Sequence, residues 1–135
     1  MILLVADVSI FLEFGRNELM VPLFAAGLTI AAVDLLCYEL RAAFGTSFFE
    51  LGLHVLDLFP DELGRAQALW SSNKTLSLSE CFALVRACRG GHILVTASPH
   101  LQSVAQAYGV VTLGWGWLAE QVMLNIASPA LTSAR

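Results

Sequence analysis

Short apolar runs separated by helix-like patterns are the feature that most limits what this chain can fold into. The runs occupy residues 2–6, 29–33, 54–58, 92–96 and 110–113. Most are continuously apolar, as in strands that are covered on both faces. Helical patterns lie between them, at residues 8–14, 18–26, 35–44, 61–71, 78–89, 99–108 and 115–125. This alternation predicts an α/β fold with a parallel sheet and right-handed crossovers.

Length and composition favour one domain without a membrane span. A chain of 135 residues can bury a single sizeable core, so we expect one domain over residues 1–135 with a flexible tail at 126–135. The longest charge-free stretches, 19–33 and 90–119, are interrupted by Pro, Gly or polar residues and do not predict a transmembrane helix. The start lacks the basic region of a signal peptide. We therefore expect a cytoplasmic protein that makes no membrane contact.

Composition also bears on partners and metals. The hydrophobic fraction of 57% is high for a soluble protein and favours an apolar surface used in self-association, such as a homodimer. The net charge of −4 argues against a broad nucleic-acid surface but is compatible with a local basic patch. Cys37, Cys81 and Cys88 lack zinc-site spacing and are expected to be reduced, mostly buried thiols.

Asp7 is the first candidate site residue. It directly follows the first apolar run, and ligands of open parallel sheets bind beyond the carboxyl ends of the strands. Asp is also a favoured residue at the start of a helix, so a capping role explains it equally well. Ser9, two residues later, is compatible with both interpretations.

Glu39 is the second candidate. It lies on or beside the apolar stripe that Leu35, Leu36 and Leu40 define on the helix predicted at 35–44. A carboxylate that faces a core is costly unless it is paired or binds a cation, which favours a functional role. The alternative is a rim glutamate that reaches water or a base such as Arg41.

Glu80 and Ser98 have strong local explanations. Ser77 and Glu80 have the spacing of a capping box at the start of a helix. Ser98 and Pro99 match the preferred N-cap and first helical residues. These patterns alone account for two helix starts without any chemistry.

The order of these segments resembles the PIN-domain family over nearly the whole chain. The matching stretches are "LLVADVSIFLEF", "VDLLCYEL", "LSLSECFALVRA", "HILVTASPHLQSVAQAYGV" and "LGWGWL". The small stand-alone prokaryotic kind, often the toxin of a toxin–antitoxin pair, is the most similar in character. The resemblance implies a three-layer α/β/α sandwich with a central, mainly parallel five-stranded sheet.

The same resemblance implies a metal-dependent endoribonuclease acting on RNA, with an antitoxin protein as a partner. Asp7, Glu39 and Glu80 match the family's first three acids and would hold Mg²⁺ or Mn²⁺, while Ser9 matches the hydroxyl residue that supports the first acid. Carboxylates suit such ions, which prefer oxygen ligands, and a bound ion can generate hydroxide and neutralise charge on a phosphate.

One position departs from the family pattern. Where the family commonly has "LLTGDxxL", this chain has "LVTASPHL", so Ser98 replaces the fourth acid. A serine can hydrogen-bond a metal-bound water or cap the helix, but it supplies no charge. We therefore expect one weakly held ion rather than two. The alternative is a catalytically degenerate PIN domain that binds RNA or protein without cutting.

Overall fold

Five short strands alternate with seven helices in the computed structural model, which describes residues 2–127. The strands are Leu4–Ala6 (β1), Ile30–Val33 (β2), His54–Leu56 (β3), Ile93–Thr96 (β4) and Thr112–Gly114 (β5). The helices are Val8–Arg16 (α1), Met20–Ala25 (α2), Asp34–Phe44 (α3), Pro60–Ser72 (α4), Leu78–Cys88 (α5), Pro99–Ala107 (α6) and Trp115–Ala127 (α7). Each predicted strand and helix has a counterpart, displaced by a few residues at most.

The strands form one sheet in the order β3-β2-β1-β4-β5. All four neighbouring pairs are parallel. The central strand β1 places Val5 opposite Ala31 of β2 and Leu94 of β4. Because every strand runs the same way, the residues that follow β1 and β4 emerge side by side at one edge of the sheet.

The two faces of the sheet support separate cores. Leu4 and Ala6 of β1 point into one core, whereas Val5, one residue between them, points into the other. The first core is completed by α1, α2, α3 and α7, and the second by α4, α5 and α6. The predicted three-layer α/β/α sandwich is therefore confirmed.

A 3-10 helix at Phe48–Leu51 was not predicted from the sequence. Its first residue, Phe48, is only 4% exposed and packs its ring against Phe11, Phe24 and Phe44. These partners come from α1, α2 and the end of α3, so the burial depends on tertiary packing. A four-residue segment has no periodicity from which this could be predicted.

The carboxyl-terminal helix α7 extends two residues beyond its predicted end, to Ala127. Residues 128–135, the remainder of the predicted flexible tail, lie outside the described residues. Within residues 2–127, no helix is both long enough and apolar enough to span a membrane. Of the three thiols, Cys81 is buried and Cys37 half-buried, but Cys88 is exposed, contrary to the expectation of mostly buried thiols.

Candidate functional site

Asp7 lies at the carboxyl edge of β1 and is only 1% exposed. It is the N-cap of α1, where Oδ1 accepts a hydrogen bond from the backbone N–H of Ile10 at 3.4 Å. Ser9 Oγ donates to the same oxygen at 2.5 Å. Thr96 Oγ1, at the end of β4, donates to Oδ2 at 2.7 Å. Asp7 thus caps its helix, as one interpretation predicted, and is also held by two hydroxyl groups.

The two hydroxyl groups are themselves oriented by the turn that follows β4. The backbone N–H of Ala97 donates to Ser9 Oγ at 2.9 Å, and that of Ser98 donates to Thr96 Oγ1 at 3.0 Å. Each hydroxyl oxygen uses a lone pair to accept from a backbone amide and donates its single proton to Asp7. The arrangement presents two donors to an ionised carboxylate and fixes its orientation.

The electrostatic environment of Asp7 contains opposing contributions. Burial is the largest and raises the pKa of Asp7 above its usual value. The hydrogen bonds from Ser9 and Thr96 lower this pKa, and the negative charge of Glu80 raises it again. On balance the pKa of Asp7 is raised, so this carboxylate gains a proton more readily than one in water.

A cleft of about 360 Å³ opens beside Asp7 and brings the three predicted acids together. Its lining comes from α1, α3 and α5 and includes Asp7, Glu39 and Glu80. Ser9 also lines it, and the remaining lining residues are Val8, Leu12, Ser77 and Ser79. The acids thus come from three helices that meet at this edge of the sheet.

Glu39 reaches the cleft by an orientation of α3 that differs from the predicted one. Leu36 and Leu40 are buried, whereas Leu35 and Glu39 are exposed. The buried stripe therefore excludes Leu35, and Glu39 does not face the core, so the expected cost of a buried charge does not arise. Glu39 Oε1 instead accepts a hydrogen bond from Ser79 Oγ at 2.6 Å.

Glu80 takes part in the capping box predicted from the sequence. Its Oε1 accepts from the backbone N–H of Ser77 at 2.8 Å, and Ser77 Oγ accepts from the N–H of Glu80 at 3.0 Å. This prediction is confirmed. The carboxylate nevertheless lines the cleft, so it both starts α5 and contributes charge near Asp7.

Ser98 caps α6 through its side chain, because Ser98 Oγ accepts from the backbone N–H of Leu101 at 3.2 Å. It is not among the residues that line the cleft. Its link to Asp7 runs through its backbone N–H and the hydroxyl of Thr96. Thr96 and Ser79 were not predicted as site residues from the sequence. Thr96 could have been found as a hydroxyl residue that ends the strand next to β1.

The oxygen atoms that line the cleft are of the type that a hard cation prefers as ligands. Its polar lining consists of carboxylates and hydroxyls, and Mg²⁺ and Mn²⁺ prefer such oxygen ligands. In the part of the chain that the structure describes, no three His, Cys, Asp or Glu side chains converge closely enough to hold a metal ion. The residues thus fit such an ion in the type of their donor atoms, but the carboxylates would have to move closer together to share one ion.

A second cleft, of about 240 Å³, lies against α3, the 3-10 helix and β3. Its lining is mainly apolar, with Asp34 and Arg41 as its charged residues. A single carboxylate beside an arginine is a poor cation site. The cleft at Asp7 is therefore the better candidate for chemistry.

Comparisons with known proteins agree with this architecture. No family model matches the chain, and no curated protein matches it. Among solved structures, it is similar to a PilT N-terminus (PIN) domain protein from the hyperthermophilic archaeon Sulfolobus solfataricus P2. The two share 15% sequence identity with a TM-score of 0.61, and the match covers 90% of this chain and 93% of the other. A likeness at this identity concerns the fold alone, and the fold of this chain is PIN-like.

Proposed function

We propose that the protein is a PIN-type endoribonuclease that depends on Mg²⁺ or Mn²⁺ and has a weakened metal site. The observation that supports this most directly is the cleft in which Asp7, Glu39 and Glu80 face the same space. Three carboxylates from three separate helices have no common structural purpose, because only two of them act as caps. They line one cleft, and holding a cation there would require them to approach one another more closely.

In this proposal Asp7, Glu39 and Glu80 hold the ion. When bound, the ion supplies a hydroxide nucleophile at neutral pH and neutralises charge that develops on the phosphate. Ser9 and Thr96 act by holding both oxygens of Asp7 in a fixed orientation. Their hydrogen bonds lower the pKa of Asp7 against the effect of burial and so favour the ionised form, which is the form that binds a cation.

The weakness of the site follows from Ser98. A fourth carboxylate about 4–5 Å from a dication, at an effective dielectric constant near 20, would contribute roughly 7 kcal/mol of gross attraction, much of it offset by desolvation. Ser98 Oγ is engaged in capping α6 and supplies no such charge. One ion of low affinity is therefore the expected occupancy.

Cleavage of a labelled single-stranded RNA during a Mn²⁺ titration tests this proposal. Asp7→Asn, Glu39→Gln and Glu80→Gln are each expected to lower the rate at least about 100-fold, because each removes a metal ligand charge. Glu80→Gln is informative because Gln also suits this capping-box position, so α5 can still start normally. Glu120→Gln, on the exposed side of α7, is the control and should retain full activity. Undiminished cleavage by Asp7→Asn would refute the proposal.

A degenerate PIN domain that binds RNA or protein without cutting is the second candidate. It is favoured by the lack of converging metal ligands among residues 2–127 and by the serine at position 98. Isothermal titration calorimetry with Mn²⁺ separates the two candidates. Mn²⁺ binding together with RNA turnover supports the nuclease, and binding of RNA without metal binding or turnover supports the degenerate domain.

We also propose that the protein is a cytoplasmic toxin that is paired with an antitoxin protein and forms a homodimer. Exposed apolar residues on α2 and α7, namely Val21, Met123, Leu124 and Ile126, could contribute a self-association surface. Light scattering over a concentration series tests the dimer. A growth defect on expression, relieved by a neighbouring gene, tests the toxin role.

A further inference from the structure

An exposed aromatic ring and a cation lie together at the end of α4. Lys74 is the only lysine in the sequence. Its Nζ lies 4.9 Å from the centroid of the Trp70 ring. Trp70 is 38% exposed, and Lys74 is also exposed, so both side chains are open to a ligand.

The position of Lys74 in the chain places it near one residue of the carboxylate cleft. Ser77, which lines the cleft, is three residues after Lys74, so their Cα atoms are at most about 11 Å apart. The intervening residue Thr75 hydrogen-bonds through Oγ1 to His100 Nε2 at 2.5 Å. His100 is in the first turn of α6, directly after the turn whose amides orient the hydroxyls around Asp7. The loop that carries Lys74 is therefore attached to the same edge of the sheet.

Lys74 also differs from the other cations in being available. Arg16, Arg65 and Arg89 are each paired with carboxylates. Arg86 donates to two backbone carbonyls. Lys74 has no carboxylate partner within residues 2–127, and the remaining described cation, Arg41, lines the separate cleft against β3 and the 3-10 helix.

We propose that Trp70 and Lys74 form a binding site for one nucleotide of single-stranded RNA beside the carboxylate cleft. A base stacks on the indole ring, and the ammonium group moves from the ring to a neighbouring phosphate. Replacing the Lys74–Trp70 contact by a stacked base is favourable, because an exposed cation–π contact is weaker than the stacking of a base on an aromatic ring. Stacking accepts any base, so the site contributes affinity without sequence preference.

The inference rests on the proposed function, since it takes RNA as the substrate. It also supplies something that the cleft itself lacks. Three carboxylates repel a phosphate backbone, and a cation next to them offsets part of that repulsion. Lys74 is an exposed cation in the loop that leads to Ser77, which lines the cleft.

Fluorescence anisotropy of a labelled 12-nucleotide RNA, measured with the full-length protein in EDTA, tests binding apart from cleavage. Trp70→Ala is expected to weaken binding about tenfold, and Trp70→Phe, which keeps an aromatic face, by much less. Lys74→Ala is expected to reduce the slope of log K against log salt by about 0.7. Arg41→Ala, an exposed cation lining the other cleft, is the matched control and should leave the affinity and the slope unchanged.

The outcomes separate this inference from the proposed function. Equal RNA affinity in wild type, Trp70→Ala and Lys74→Ala overturns the nucleotide site, even if the protein cleaves RNA and the nuclease proposal stands. Loss of affinity in both variants, with unchanged thermal unfolding, supports the site even if no metal ever restores cleavage. A similar loss in Arg41→Ala also overturns it, because binding would then depend on general charge.

Discussion

The hydroxyl of Thr96 links Asp7 to the turn that follows β4 through two hydrogen bonds. It donates to Asp7 Oδ2 at 2.7 Å and accepts from the backbone N–H of Ser98 at 3.0 Å. Thr96 itself is fully buried. Thr96→Val keeps the shape and volume of the side chain while it removes the hydroxyl. The substitution therefore leaves Asp7 with one hydroxyl donor and leaves the Ser98 N–H without its partner.

The expected cost can be worked from these two contacts. A hydrogen bond to a charged group contributes about 1.5–3 kcal/mol, and an orphaned buried donor costs about 1 kcal/mol or more. The free energy of unfolding should therefore fall by about 3 kcal/mol at pH 7. For a domain of this size that corresponds to a drop in Tm of roughly 10 °C. The lost donor also raises the pKa of Asp7 further, because the bond from Thr96 lowers it.

Urea denaturation at pH 7 and pH 3 measures this effect, with Thr96→Ser as the control that keeps the hydroxyl and loses one methyl group. Thr96→Ser should cost about 1 kcal/mol, the value of one buried methyl group. The gap between the two variants should narrow at pH 3, where Asp7 is protonated and no longer needs two donors. If Thr96→Val is no less stable than Thr96→Ser at pH 7, the hydroxyl network does not hold Asp7 as described.

Three further predictions concern Asp7, position 98 and the ion pair between Arg89 and Glu62. Asp7→Asn should remove the pH dependence that Asp7 contributes, because the raised pKa of Asp7 means that its ionisation costs stability as the pH rises from about 3.8 through the folded-state pKa. The urea midpoint of Asp7→Asn relative to wild type should therefore be higher at pH 7 than at pH 3, and a relative midpoint that falls between pH 3 and pH 7 contradicts the assignment. Ser98→Asp, which keeps a good N-cap, should tighten Mn²⁺ binding at least about tenfold by calorimetry, and unchanged affinity would show that position 98 does not reach the ion. Arg89→Met should lower the free energy of unfolding, measured by urea denaturation, by about 3 kcal/mol, because Glu62 is fully buried and its Oε2 lies 3.2 Å from Arg89 Nε. The control Arg16→Met, which removes an exposed ion pair, should lower it by less than about 0.5 kcal/mol.

Much of the fold could be predicted from local patterns. Continuous apolar runs of four or five residues indicated the strands, and the spacing of apolar residues between them indicated the helices. Capping residues located the starts of α1, α5 and α6, where Asp7, Ser77 and Ser98 each accept a backbone N–H. These features depend on residues within four positions of one another, so the sequence contains them directly.

The arrangement of the candidate site could not be predicted from local patterns. Asp7, Glu39 and Glu80 could be selected one by one, but a capping role explained Asp7 equally well and explained Glu80 better than a functional role did. Placing them around one cleft requires the positions of α1, α3 and α5 on the sheet. The orientation of α3 was also mispredicted, because the sequence contains two overlapping apolar stripes and packing buries only the one through Leu36.

The sequence by itself determined the alternation of strands and helices, the three helix starts and the absence of a carboxylate at position 98. Only the tertiary structure decided which hydroxyls hold the acids. Thr96 and Asp7 are 89 residues apart, and Ser79 and Glu39 are 40 apart. Such contacts arise from the register of β1 against β4 and from the positions of α3 and α5 on the sheet, which are set by the packing of two whole cores. A pattern read over a few neighbouring residues cannot contain that information.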